Sequence, residues 1–396
     1  MAMQPNYRMN VLQVCLGYPP NYHMGGAALT AAAVSEELAR LNHLVLVAAP
    51  KLRGASYQRA RFRTETEHTP IATVTHCGTW VQVGFKTINP AAVLLIPTFL
   101  RRADMVIIHG LRIFLGTVAA LSCWLLRKPY IIFPHGMAQP RWRSILLKRV
   151  YDALVGRRIL RRAAAVACLS EREREEVLAC SDCRPERVRI VTTSGAIASR
   201  TKGPTDWERA RILFLCRVRP EKSIEMMIEA IADPALLPHF EITVAGPLED
   251  PVYAAALRRK AEARGVALRF AGLVSGDEKA DLLSESHLLA LISESESWGR
   301  VVAEALELGT PVLVSDTCGI ASQLDDSSGV VVPRTVEALR DALRSLCAGD
   351  FARLRALRGT CRKTLRPHGA DNIGDLLEAV RRPTARVVSN RGSVIT

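Results

Sequence analysis

The chain has 396 residues, 48% of them hydrophobic and 23% charged, with a formal net charge of +14. That length accommodates two domains with a core each, and so ordinary a composition excludes disordered, collagenous and coiled-coil classes. The longest apolar run, Ile113 to Leu126, falls short of the ~20 residues a membrane-spanning helix needs. The polar start at Gln4, Pro5 and Asn6 has no signal-peptide core, so export is not expected.

In chain order, Val11-Leu-Gln-Val-Cys-Leu16 reads as a first strand. Gly25-Gly26 then opens a helix running through Leu29, Val34, Leu38 and Leu41, and glycines there allow a phosphate to approach the backbone closely. Asp104-Met-Val-Ile-Ile-His109 and Ile131-Ile-Phe-Pro-His135-Gly136 are apolar strands that each end on a histidine. Strand-end histidines are most often satisfied polar residues, although two on successive strands can face one crevice edge. The segment Arg141 to Arg162 follows, with basic pairs at Lys148-Arg149, Arg157-Arg158 and Arg161-Arg162. Ile145, Leu146, Val150, Leu154, Ile159 and Leu160 run between them. This is the pattern of a helix lying on an anionic membrane surface, or of a solvated face packing on its own domain.

A polar stretch from Ser194 to Trp207 marks a boundary. Beyond it, Ile212-Leu-Phe-Leu-Cys-Arg217-Val-Arg-Pro-Glu-Lys222 reads as strand and loop, leading into a helix through Met226, Met227, Ile228 and Ala230. Arg217 and Lys222 flank the carboxyl end of that strand, where open α/β sheets bind ligands. A guanidinium fork and an ammonium suit a diphosphate, although Arg219 is equally placed by sequence. Leu288-Leu-Ala-Leu-Ile292 is another strand, followed by a loop holding Glu296, a helix opened by Gly299, and the strand Pro311-Val-Leu-Val314. Free N–H groups at Trp298 and Gly299 are ready for phosphate. Glu304, set among Val301, Val302, Ala303, Ala305 and Leu306, is an acceptor for two ribose hydroxyls, and Glu296 for those of a sugar beyond the phosphates. A carboxylate in so apolar a setting calls for a partner.

These segments together resemble glycosyltransferase family 4, from Val11 to about Leu346. Its E-x7-E element is similar to Glu296-Ser-Trp-Gly-Arg-Val-Val-Ala-Glu304, and its arginine–lysine element to Arg217-Val-Arg-Pro-Glu-Lys222. The resemblance implies an α/β GT-B fold of two Rossmann-like domains facing a cleft, with residues 1–195 on the acceptor side and 196–366 binding the nucleotide sugar. Residues 367–396 are expected to form a helix returning to the first domain, and then a tail. It also implies retaining, metal-independent hexosyl transfer without a cofactor, from a nucleotide-diphosphate sugar to a saccharide or lipid-linked saccharide. Catalytic roles fall to His109, Arg217, Lys222 and Glu296. Donor binding falls to Gly25, Gly26, Trp298, Gly299, Arg300 and Glu304, and the acceptor side to His135. Where the family has glycines before Arg217 and after Lys222, this chain has Cys216 and Ser223. Its Gly-Gly-x-x-Glu element is replaced by Cys318-Gly-Ile-Ala-Ser322, and its Asn-Gly by Ser194-Gly195.

Charge is uneven: residues 1–200 carry 27 Lys and Arg against 12 Asp and Glu, residues 201–396 carry 26 against 27. A basic first half suits an anionic membrane surface. A nucleic-acid-binding protein would share the charge, but aromatics are only 5% and no recognition module is present, so no nucleic acid is expected. A GT-B epimerase is the other alternative. Ten scattered cysteines fit a reducing, cytoplasmic setting, at most peripheral to the inner face of the plasma membrane. Cys180 and Cys183 have no second pair at zinc spacing, so no metal is expected.

Overall fold

The computed structural model describes residues 7–19, 26–51, 63–83, 86–140, 144–191, 203–362 and 372–381. Gly25, Arg141, Ser194 and Gly195 lie outside them. The first sheet is built from β1 (Asn10–Val14), β2 (Leu44–Pro50), β3 (Glu65–His68), β4 (Thr73–Cys77) and, past a small hairpin β5–β6 (Val81–Val83, Lys86–Ile88), from β7 (Met105–His109), β8 (Tyr130–Phe133), β9 (Ala165–Cys168) and β10 (Val188–Ile190). Its order is β10-β9-β8-β7-β1-β2-β4-β3, parallel except for β3. The second comprises β11 (Ala210–Leu215), β12 (Phe240–Ala245), β13 (Leu268–Gly272), β14 (Leu288–Leu291), β15 (Val312–Ser315) and β16 (Gly329–Val332). Its order is β13-β12-β11-β14-β15-β16, all parallel.

Parallel strands covered on both faces must be apolar throughout, and MVIIH, YIIF and LLAL are buried along their whole lengths. Side chains alternate between faces with period two. Leu12, Val14, Val106 and Ile108 therefore pack with Ile96, Leu100 and Leu115 on one side of the first sheet. Val11, Cys15, Met105 and Ile107 pack with Val34 and Leu38 on the other, together with Ile373, Leu376 and Leu377 of the helix Ile373–Arg381. The second sheet is covered in the same way by two further clusters.

In both sheets the chain reverses its direction of growth beside the first strand, between β1 and β7 and between β11 and β14. Ligands of open α/β sheets bind at the carboxyl ends of strands flanking such a point. The residues singled out above leave those strand ends. His109 closes β7, Arg217 and Lys222 follow β11, and Glu296 follows β14.

Candidate active site

The Glu296 loop is clamped between the two halves of the molecule. Ser170, at the start of the helix Glu171–Cys180, donates its hydroxyl to the Ser297 carbonyl at 2.6 Å. Arg172 bonds the Thr317 carbonyl. Trp298 packs against both the first-sheet core and the second. From below, the Gly319 N–H donates to the Glu296 carbonyl at 2.8 Å, and a Cβ on Gly319 would stand 2.0 Å from the Ser297 carbonyl. Cys318-Gly319 thus closes directly onto the loop, in a segment where the family motif differs.

A cavity of about 470 Å³ opens beside this loop, within the range of roughly 300–1,000 Å³ usual for small-molecule sites. Gly26 and Leu29 line it from the first domain, Arg217, Lys222 and Glu296 from the second. Gly299, Arg300 and Glu304 complete it where the helix Arg300–Glu307 begins. Gly299 is that helix's N-cap at φ +97°, and a Cβ there would meet Leu291 at 2.9 Å and Ile320 at 3.0 Å. Only glycine both turns the chain and lets the helix start this close to the sheet.

Lys222 Nζ lies 2.5 Å from Glu296 Oε2 and 3.3 Å from Ser293 Oγ. Burial opposes its charge, but Glu296 alongside outweighs this and the pKa ends above the ordinary lysine value. An ammonium has three donors, so these two partners leave capacity for a phosphate oxygen. Arg217 reaches Glu249 at 3.6 Å, and Arg219 shares that carboxylate at 3.4 Å. Of the two arginines the sequence left equivalent, Arg217 lines the cavity and Arg219 does not. Ser223 holds the left-handed backbone a glycine would have held (φ +51°), with its hydroxyl accepting from Arg334 at 3.0 Å. The loop geometry therefore survives this substitution.

Glu304 is buried and has the partner its setting demanded: Lys279 Nζ at 2.5 Å, with Arg300 Nε at 3.4 Å. Lys279, from the helix Gly276–Glu285, lines the same cavity and was not singled out from the sequence. Its ammonium fixes the carboxylate that faces the cavity, so Lys279→Met is expected to raise the donor KM about tenfold, or about 1.4 kcal/mol, with kcat nearly unchanged. Steady-state kinetics check this, and an unchanged KM would contradict it.

The histidines form a hydrogen-bonded chain. Gln13 donates its amide to Ser35 Oγ at 2.7 Å, which turns its carbonyl toward His109 Nε2 at 2.8 Å. His109 Nε2 is therefore protonated, and its Nδ1 accepts from His135 Nε2 at 3.1 Å. His109 is fully buried and stacked on Phe133, both ring nitrogens engaged; it does not line the cavity. His135 is half-buried, and the next residue, Gly136, meets Ser297 across the domain interface. Burial, then the neighbouring His135, holds the pKa of His109 well below its ordinary value, and burial lowers His135 to about 4. Rings depressed in this way bind protons more readily when unfolded, so their stabilisation, present above about pH 6.5, is lost as pH falls toward 4. Asparagine tolerates the left-handed backbone at His135 (φ +53°). The fall in Tm on acidification should therefore be smaller in His135→Asn than in the native protein. Equal falls would contradict the neutral-pair assignment.

Family comparisons agree with this geometry on both halves. Residues 25–193 match the Glycosyl transferase 4-like domain, and residues 197–360 match Glycosyl transferases group 1. The chain belongs to glycosyltransferase family 4. Among this family's curated members, it is 24% identical over 281 residues to D-inositol 3-phosphate glycosyltransferase of Jonesia denitrificans, covering 65% of this chain and 64% of that one. It is 27% identical over 264 residues to Alpha-D-kanosaminyltransferase of Streptomyces kanamyceticus, covering 60% and 66%. The chain thus spans less than two thirds of the length of these relatives. Among solved structures, Anabaena HepE in complex with UDP-glucose superposes with a TM-score of 0.70 at 18% identity, over 89% of this chain and 93% of that one. WaaG, a glycosyltransferase involved in lipopolysaccharide biosynthesis, gives 0.64 at 17%, over 89% and 95%. These likenesses establish the GT-B fold.

Proposed function

We propose that this family 4 enzyme moves a hexosyl group from a nucleotide-diphosphate sugar to a hydroxyl of a saccharide or lipid-linked saccharide, with retention, in cell-surface polysaccharide biosynthesis. The observation that carries the reading is one cavity that holds Lys222, Arg217, a helix N-terminus and the Glu304 carboxylate together. Glu304 accepts from the ribose, while the cations and the N–H groups at Trp298 and Gly299 receive the diphosphate. Glu296 faces the donor sugar. Structures of HepE hold UDP and UDP-glucose, which supports such a donor.

The acceptor oxygen attacks the anomeric carbon from the face the diphosphate leaves. The bond from that carbon to the phosphate oxygen breaks, and the acceptor's proton passes to the departing phosphate. Negative charge grows on the phosphate as this happens, and a fixed ammonium stabilises it most at that moment. Closing the cleft around Gly26 and Leu29 would exclude water.

Proton NMR of the product tests the stereochemistry. Retention requires the donor's anomeric configuration in the new linkage, and inversion would overturn the mechanism. Sugar turnover at an equal rate without any acceptor would instead indicate an epimerase.

A further inference from the structure

The segment from Ile145 to Arg162 is helical, with a π-helical turn at Asp152–Gly156. Its apolar residues do not all turn inward. Leu146, Leu147 and Leu154 are 78%, 65% and 62% exposed, and Ile145 and Val150 are also exposed. A second helix, Phe114–Leu126, lies alongside. Thr117 Oγ1 meets Tyr151 Oη at 2.6 Å, and Arg162 stacks over Trp124 at 4.6 Å. Leu121 and Leu125 follow Thr117 at steps of four, so they sit on the side turned toward the first helix, and Leu125 is 84% exposed. Seven apolar side chains on two helices joined by these contacts are thus left exposed. Lys148, Arg149, Arg157, Arg158, Arg161 and Arg162 surround them, and the one acidic residue between 144 and 162, Asp152, is already paired with Arg112.

Exposed leucines in this number call for an occupant. Aliphatic side chains give nucleic-acid bases no stacking platform. An anionic bilayer accepts both components: leucines sink to the headgroup boundary, and each cation near the surface adds about 1 kcal/mol.

The position of this face ties it to the cleft. Tyr151 Oη donates to the Leu111 carbonyl at 3.2 Å, just past β7. Arg112 donates from Nε to Asp152 Oδ1 at 2.9 Å, and its other nitrogens bond the carbonyls of Met137 and Ala138. Those carbonyls belong to the loop that carries His135 and Gly136. One part-buried guanidinium therefore fastens the amphipathic segment to the loop that meets Ser297 at the domain interface.

We propose that this two-helix face docks on an anionic membrane surface and that the acceptor is a lipid-anchored saccharide received from that surface at the His135 loop. The acceptor assignment rests on the glycosyl-transfer reading of the cleft, whereas the docking face stands on its own observations.

Co-sedimentation of the full chain with vesicles tests the proposal. Phosphatidylglycerol–phosphatidylcholine vesicles should carry the protein down. Binding should be at least about tenfold weaker to pure phosphatidylcholine, in Leu146→Ser/Leu147→Ser and in Lys148→Glu/Arg149→Glu. Leu146, Leu147 and Arg149 are exposed and Lys148 is half-exposed, and an unchanged nucleotide-induced thermal shift in both variants verifies that the fold and donor site are intact. Protein left in the supernatant with anionic vesicles, or binding that neither variant weakens, overturns docking. A dimer dissociated by the leucine substitutions, without vesicle binding, would assign the face to self-association and overturn it too. Vesicle binding in a protein indifferent to every nucleotide sugar would leave the surface standing and remove the acceptor assignment.

Discussion

Replacing Lys222 with alanine is expected to lower kcat by about 10²–10³-fold, the usual cost of deleting one preorganised charge or donor at a site of developing negative charge. The ammonium stands at the carboxyl end of β11, held by Glu296 at 2.5 Å and kept protonated by it. In the proposed mechanism it stabilises the leaving diphosphate more than the intact donor, so the loss is expected to fall on kcat more than on KM. Glu296 remains partly exposed without it, so the fold should survive. Arginine should not restore the rate, because a planar fork cannot replace a point charge on a stem packed this closely. A kcat within about threefold of the native value, measured on folded protein, would remove Lys222 from the chemistry.

Gly246→Ala should be the most damaging single methyl in the second domain. Gly246 directly follows β12 at φ +132°, and an added Cβ would stand 2.0 Å from the Cys216 carbonyl. The obstacle is backbone, so it cannot swing aside. The Cys216 peptide is also bonded to β12, its N–H donating to Ala245 at 2.9 Å. Either β12 or the start of the Arg217 loop must move. A cost of about 3 kcal/mol or more is expected, combining overpacking with backbone strain. The substitution should lower the denaturation midpoint at constant m and abolish the nucleotide response. A variant with native midpoint and native nucleotide affinity would show that the loop does not need this close approach.

The second domain's half of the site was legible because its signals are local. Leu288–Leu291 is an unbroken apolar run, Gly299 stops the loop, and Glu304 sits among residues that only a buried helix face explains. Its partner was not legible, since Lys279 lies in the strongly charged helix GDEKADLLSE. The available signal was positional: Lys279 stands one turn before the buried Leu283, on the same side of its helix.

The strand ends carrying His109 and His135 were also readable, but their hydrogen bonding was not. Gln13, a lone polar residue within the apolar run of β1, marks the chain that occupies His109, although its partners come from Ser35 and β7. The amphipathic segment was visible as charge and leucine spacing. Its second helix and the Arg112 tie depend on contacts between residues far apart in sequence, which no local pattern encodes.

Glu304 and the cations around it are expected to bind a nucleotide diphosphate between the two domains. Thermal unfolding of the pure protein, without added metal, against UDP, GDP and their sugar conjugates measures this most directly, since a ligand of the native state raises Tm. A shift with one nucleotide class is expected, abolished in Glu304→Ala. A folded protein that responds to none of them, or a shift that persists undiminished in Glu304→Ala, would contradict it.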